Sequence, residues 1–223
     1  MRGQVALENN KDKSRRPAAP RMKLNLGCGD VAPPGWINVD NAIGARLRKI
    51  PILGALSQRF LRCDWSPSIL LHDLRRELPW PSGSVGCVYS SHSLEHLTRA
   101  SGEGFMREVA RILKPGGIAR FVVPDLKLEV DRYVSGESDA RDFLSSLHAV
   151  DTRDRPMAKR IYGLLSGSGH RCMYDEASLF GLMAAAGLSA RRMAPFESAI
   201  PGIEEVERAP QTADALIAEG VKG

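Results

Sequence analysis

The chain has 223 residues, 43% of them hydrophobic, with 31 Lys/Arg against 26 Asp/Glu. That length suits one globular domain carrying a tail or an insertion, and no run of about 20 apolar residues supplies a membrane span. Residues 1–23 hold seven Lys/Arg and two Asp/Glu, so the net +5 sits there and the remainder is balanced at 24 of each sign. A nucleic-acid partner, which selects a basic face on the folded domain, is therefore not expected.

Residues 1–21, rich in Pro, Ala and Arg, read as a flexible basic tail. They lack the apolar run of a secretory signal. Lys23–Leu26 reads as a first strand, entering the loop Gly27-Cys28-Gly29, and Ile37–Asp40 as a second. Ala42–Phe60 is apolar at mixed helical spacing and broken by Pro51, which suggests two short helices. Ile69–Leu74 reads as a third strand, Pro79–Gly83 as a turn, and Val85–Ser90 as a buried fourth strand. Leu94–Leu113 reads as a helix closed by Lys114-Pro115-Gly116-Gly117, ahead of a strand over Ile118–Val123. Residues 126–168 are polar and helical, the candidate substrate-side insertion or lid. Tyr174–Ala186 reads as a helix stopped by Gly187, and Leu188–Ser198 with Ala213–Val221 as a strand hairpin with a long connection. Strands alternating with helices predict one α/β sheet covered on both faces, within a single domain over 22–223.

A strand, a glycine loop and an acid ending the next strand are the parts of a nucleoside-binding site in such a sheet. Glycines let the backbone approach a ligand closely, and the Asp40 carboxylate can accept hydrogen bonds from two ribose hydroxyls. The four cysteines, Cys28, Cys63, Cys87 and Cys172, include no C-x-x-C pair. They read as reduced thiols of a cytoplasmic protein, with neither a disulfide frame nor a metal site expected.

Four blocks taken in order resemble class I methyltransferases that use S-adenosylmethionine (SAM), and among them the type 11 group. They are LNLGCGD with the following INVD, HDLRRELPWPSGSVGCVYSSHSLEHL, REVARILKPGGIARFVVPDL, and HRCMYDEASLFGLMAAAGL. The resemblance implies a doubly wound, mostly parallel seven-stranded sheet of Rossmann-like type, with SAM as cofactor. It implies that Gly27 and Gly29 shape the loop under the methionine part of SAM, with Cys28 between them and Asn25 before them. Asp40 would hold the ribose, Asp73 and Leu74 would lie beside the adenine, and Ser90, Ser91 and His92 would lie near the reactive methyl. Asn25 stands where the family usually has an acid. Only ten residues separate Leu26 from Ile37, and Pro33-Pro34-Gly35 lies among them. The first crossover helix is therefore expected to be shortened or absent, and the 42–60 segment or the N-terminal tail is expected to cover that sheet face.

Methyl transfer from a sulfonium is an in-line displacement, to which an oxygen or nitrogen acceptor adds the need for a base. His92 and His170 are the candidate bases, with His96 a third. Arg171, Tyr174 and Asp125 are candidate contacts to the acceptor. A small molecule, saccharide-linked on the family resemblance, is the expected acceptor; the oligomeric state stays open. Three rival readings remain. His92-Ser93-Leu94-Glu95-His96 matches H-x-x-E-H, which on a helix pairs two histidines on a metal. A nicotinamide enzyme would need a third loop glycine, where the chain has Ala32 before Pro33-Pro34. A non-catalytic regulatory or partner subunit on the same fold is the third.

Overall fold

The computed structural model describes residues 22–50, 65–148 and 169–223. The expected tail over 1–21, the second short helix after Pro51 and residues 149–168 of the possible lid lie outside the described residues. The strands are β1 (Lys23–Leu26), β2 (Ile37–Asp40), β3 (Leu70–Leu71), β4 (Val85–Ser91), β5 (Leu113–Pro124), β6 (Leu188–Arg192) and β7 (Ala215–Lys222). They form one seven-stranded sheet in the order β3-β2-β1-β4-β5-β7-β6. The pairs from β3 to β5 are parallel, and β7 runs antiparallel between β5 and β6. The chain order reverses between β1 and β4, and ligands of such sheets bind at the carboxyl ends of the strands beside that reversal. Gly27, Asp40, Asp73 and Ser91 all follow or end strands at this edge.

The two sheet faces are covered by different means. On one, Leu24, Leu26, Val39, Val88 and Phe121 pack against α2 (Arg99–Ile112) and α5 (Glu176–Ala185). The buried side of α2 is Phe105, Met106, Val109 and Ile112, at helical spacing, and its first turn is capped by the Thr98 hydroxyl. A capping box between Asp175 and Ser178 starts α5. Leu94–Leu113 is thus not one helix. Leu94–His96 is a single 3-10 turn, and the α-helix begins after Thr98. The Lys114–Gly117 segment lies inside β5 as an irregularity rather than ahead of it. Val85 pairs with Leu113 and Cys87 with Ile118, so four residues of β5 are looped out. Gly117 is required there, because a Cβ would meet the Lys114 carbonyl oxygen at 2.7 Å. The third strand is only two residues long.

The opposite face lacks a helix between β1 and β2, as the ten-residue connection requires. The expected cover, the 42–60 segment, supplies only α1 (Ile43–Arg48) among the described residues, and α1 packs through Ala45 on Cys28 and Ile69 at the sheet's end. Among the described residues the cover comes from the connection between β6 and β7. Ile200, Ile203 and Val206 fold back on Trp36, Cys87, Tyr89, Val122 and Ile217. Glu205 fastens it, accepting from Trp36 Nε1 at 2.7 Å and from Lys23 Nζ at 3.0 Å. A second tether is fully buried. Arg120 of β5 donates to both oxygens of Glu207, to Glu219 of β7 and to the carbonyls of Ala194 and Glu197. The remaining helices are α3 (Leu126–Ser135), α4 (Ala140–Ser146) and α6 (Ala209–Thr212). Among the described residues no helix is long and apolar enough to cross a membrane.

Removing one partner of a buried ion network leaves an uncompensated charge. Arg120→Met, which strands Glu207 and Glu219, is expected to cost about 3–5 kcal/mol of stability, read as a fall in the urea midpoint at unchanged slope.

Candidate functional site

The loop after β1 is built by backbone hydrogen bonds. The amides of Gly27 and Cys28 both donate to the Val39 carbonyl, at 2.8 and 3.0 Å, folding the chain over the end of β2. The Gly29 amide donates to Asp40 Oδ2 at 2.8 Å, and the Ala42 amide to Asp40 Oδ1 at 2.7 Å. One carboxylate therefore joins the glycine loop to the start of α1. Each oxygen keeps a lone pair, so Asp40 can still accept two hydroxyl donors. Gly27 and Gly29 have φ of +73° and +56°, the left-handed region that glycine enters without cost. A Cβ on Gly29 would find no heavy atom within 4 Å, which leaves open space against that amide. A Cβ on Gly27 would sit 1.9 Å from Ser93 Oγ. Ser93 closes that side and donates to the Gly27 and Ser91 carbonyls.

Asn25 is buried, and its Nδ2 donates to the Val31 carbonyl at 2.8 Å and to Asn38 Oδ1 at 3.1 Å. That use ties the far end of the loop to the sheet. Cys28 turns away from the open side into the cluster of Ala45 and Ile69. Burial, with Asp40 adding to it, pushes its thiol up to about 12, so Cys28 is a small apolar filler and not a nucleophile. Asp73 is held by Arg75 through both carboxylate oxygens, at 2.8 and 2.6 Å, and that pairing lowers its pKa to about 2. Leu74 approaches the same loop, its Cδ1 within 3.7 Å of the Gly27 Cβ position. The Ser90 hydroxyl is buried with no partner among the described residues.

His92 adopts φ +47° and bridges two elements. Its Nδ1 meets Glu95 Oε1 at 3.1 Å and its Nε2 meets the Gln211 carbonyl at 2.8 Å. Burial alone would lower its pKa; the hydrogen bonds to Glu95 and Gln211 outweigh that and raise it. Both ring nitrogens are thus engaged. The helical pairing of His92 with His96 implied by H-x-x-E-H does not form, because Leu94–His96 is a 3-10 turn and His92 points to Gln211. His96 instead faces His170, the ring centroids 5.3 Å apart, and His170 stacks on His148 at 4.2 Å. Burial and then His148 bring His170 down to about 4, with Glu95 opposing. Its Nδ1 is buried, with no hydrogen-bond partner among the described residues.

The three acceptor-side candidates separate. The Arg171 amide donates to the Glu95 carbonyl and its side chain is exposed beside the histidines. Asp125 caps α3, accepting from the amides of Lys127 and Leu128, and binds Arg192 at 2.9 Å. Tyr174 is buried against Gly102 and borders a cavity of about 490 Å³ between α2 and α5 that includes no residue of the glycine loop. Ser93 and His148 are missed by sequence reasoning, and Glu95 enters it only within the rival metal motif. Glu95 carried a signal in H-x-x-E-H; Ser93 and His148 carried none, since their proximity arises only in the fold.

Gly27→Ala is expected to lower the unfolding temperature by more than the roughly 1–3 kcal/mol of backbone strain alone implies, because Ser93 occupies the added volume. The Gly27→Ala/Ser93→Gly double variant should recover part of that loss in calorimetry; no recovery contradicts the packing.

Residues 24–121 match the type 11 methyltransferase family model, described as a methyltransferase domain. Among curated proteins none matches. Among solved structures, a carbon methyltransferase, CurJ, is 12% identical with a TM-score of 0.50, covering 94% of this chain and 50% of that one. The YcgJ protein of Bacillus subtilis is 12% identical with a TM-score of 0.48, covering 91% and 92%. Magnesium protoporphyrin IX methyltransferase of Synechocystis, solved with bound S-adenosylhomocysteine (SAH), is 14% identical with a TM-score of 0.47, covering 91% and 74%. At 12% identity the likeness to CurJ speaks for the fold alone, and the stretch matched by the family model holds the glycine loop, Asp40 and the fourth strand with the histidines that follow it. Residues 24–121 thus resemble a methyltransferase domain of the type 11 family, on a fold shared with class I methyltransferases, and SAM is the cofactor which that family uses.

Proposed function

We propose that the chain moves the methyl of SAM to a small-molecule acceptor, saccharide-linked as the family resemblance suggests, by in-line displacement. The observation that supports the cofactor site is the Gly29–Asp40 hydrogen bond beside open space. Asp40 holds the ribose hydroxyls with its remaining lone pairs. The backbone of Gly27 and Gly29 admits the methionine portion, within a loop fixed by Asn25 and Cys28. Asp73 and Leu74 flank the adenine, Asp73 already oriented by Arg75. Ser90, Ser91 and His92 line the strand end nearest the methyl. When bound there, SAM supplies an electrophilic methyl on a positively charged sulfur. Orientation by these residues accounts for much of the rate, since alignment alone contributes about 7–11 kcal/mol in favourable cases.

On the acceptor side, His92 and His170 divide the work. His92 has both nitrogens engaged, so it positions the Glu95 carboxylate and the 3-10 turn. His170 keeps a nitrogen lone pair and is the candidate to take the acceptor's proton. Arg171, with its exposed guanidinium, is a candidate contact for acceptor oxygens. Tyr174 and Asp125, as packed, support this site from behind. The balanced charge outside the first 23 residues favours a small acceptor over a nucleic acid. Scattered cysteines agree with a reducing compartment such as the cytoplasm.

Asp40→Asn replaces one accepting oxygen by a donor. It is expected to weaken SAH binding by about 1–3 kcal/mol, measured by isothermal titration. Undiminished affinity in a folded variant overturns the assignment of Asp40, and absence of SAH binding by the wild-type chain returns the account to a non-catalytic partner subunit.

A further inference from the structure

Three of the five histidines of the chain, His92, His96 and His170, gather around Glu95, and His148 stacks on His170. Structural packing explains few of their features. Glu95 is fully buried, and while Oε1 is met by His92, its Oε2 has no hydrogen-bond partner among the described residues. His170 Nδ1 is likewise buried and without such a partner. A bare carboxylate oxygen in the interior costs several kcal/mol unless something positive meets it. One donor atom from each of Glu95, His96 and His170 lies within 4.8 Å of the other two.

We propose that Glu95, His96 and His170 bind a divalent transition metal of the zinc class, at the acceptor end of the methyl-transfer site. The donor set is two imidazoles and one carboxylate, which on zinc leaves a position open to an exogenous ligand. The surroundings already do what outer residues of metal sites do. His96 Nδ1 lies 3.3 Å from the Gly169 carbonyl, which orients the ring and frees Nε2. His92 donates to the carboxylate oxygen that the metal would not use. Zinc–nitrogen bonds of about 2.1 Å at tetrahedral angles place donor atoms about 3.4 Å apart, so closure asks for a shift of order 1 Å. His96 and His170 are only partly buried and can supply it.

The site lies beside His92, which follows the fourth strand. With a metal bound, the His170 lone pair is no longer free to take a proton, and the metal replaces that role: a hydroxyl or thiol of the acceptor held on it would be more acidic than in water. This role rests on the proposed function; binding of the metal does not.

The test uses the full chain, stripped with chelator and titrated with Co²⁺, then with Zn²⁺. The expected result is one equivalent of Co²⁺ with visible d–d bands, displaced by one Zn²⁺, and loss of those bands in His96→Gln, His170→Gln and the double variant, with His72→Gln unaffected. SAH titration of the same samples reports whether each variant retains the folded cofactor site. Wild-type chain that takes up no more Co²⁺ than a folded double variant overturns the proposal. Failure of wild-type SAH binding, with the metal stoichiometry intact, would instead overturn the function proposed above.

Discussion

The hydrogen bond from the Gly29 amide to the Asp40 carboxylate is the constraint on which the site depends. It spans the gap between two adjacent parallel strands at the edge where the order of the sheet reverses. With the Ala42 amide on the other oxygen, it fixes loop, strand end and helix start as one unit. The consequence is a carboxylate that is oriented yet incompletely used, next to a glycine whose outer face is open. That pairing of order and residual capacity suits a ligand bearing vicinal hydroxyls. The same edge brings up the histidine cluster, because His92 directly follows the fourth strand, itself paired with the first.

Keeping that edge in place demands an unusual solution for one sheet face. The short Pro-rich link between the first two strands leaves no room for the usual helix. Long-range contacts from the 193–212 connection replace it, with apolar residues on Trp36 and Tyr89 and with Arg120 holding Glu207 and Glu219 in the interior. The network also reaches the active edge. Gln211, in the same connection, accepts from His92, so the segment that closes the sheet face also orients a residue of the site. Packing and function are coupled through one connection.

Much of the architecture is legible in the sequence because it is locally encoded. Short apolar runs bounded by Gly and Pro locate the first, second, fourth and fifth strands, the helix after Tyr174 is bounded by Gly187, and the final hairpin follows from two strand-like runs. The glycine loop and Asp40 are legible because their roles need glycine and an acid at fixed spacing. What was not legible depends on distant contacts. Ile200, Ile203 and Val206 show no period that marks them as a sheet cover. The glycines of Lys114–Gly117 look like a helix stop, yet they serve a looped-out segment within a strand, a distinction set only by pairing with Val85 and Cys87. The histidines lie far apart in sequence, and only the rival H-x-x-E-H reading puts His92 on a helix, which its left-handed backbone does not join.

The central claim is that Asp40 and the glycine loop hold the cofactor. A crystal structure of the chain with SAH tests it most directly. The account predicts both ribose hydroxyls within hydrogen-bonding distance of the Asp40 carboxylate, and the amino-acid portion against Gly29. SAH lodged elsewhere, for instance in the cavity between α2 and α5 beside Tyr174, would contradict it.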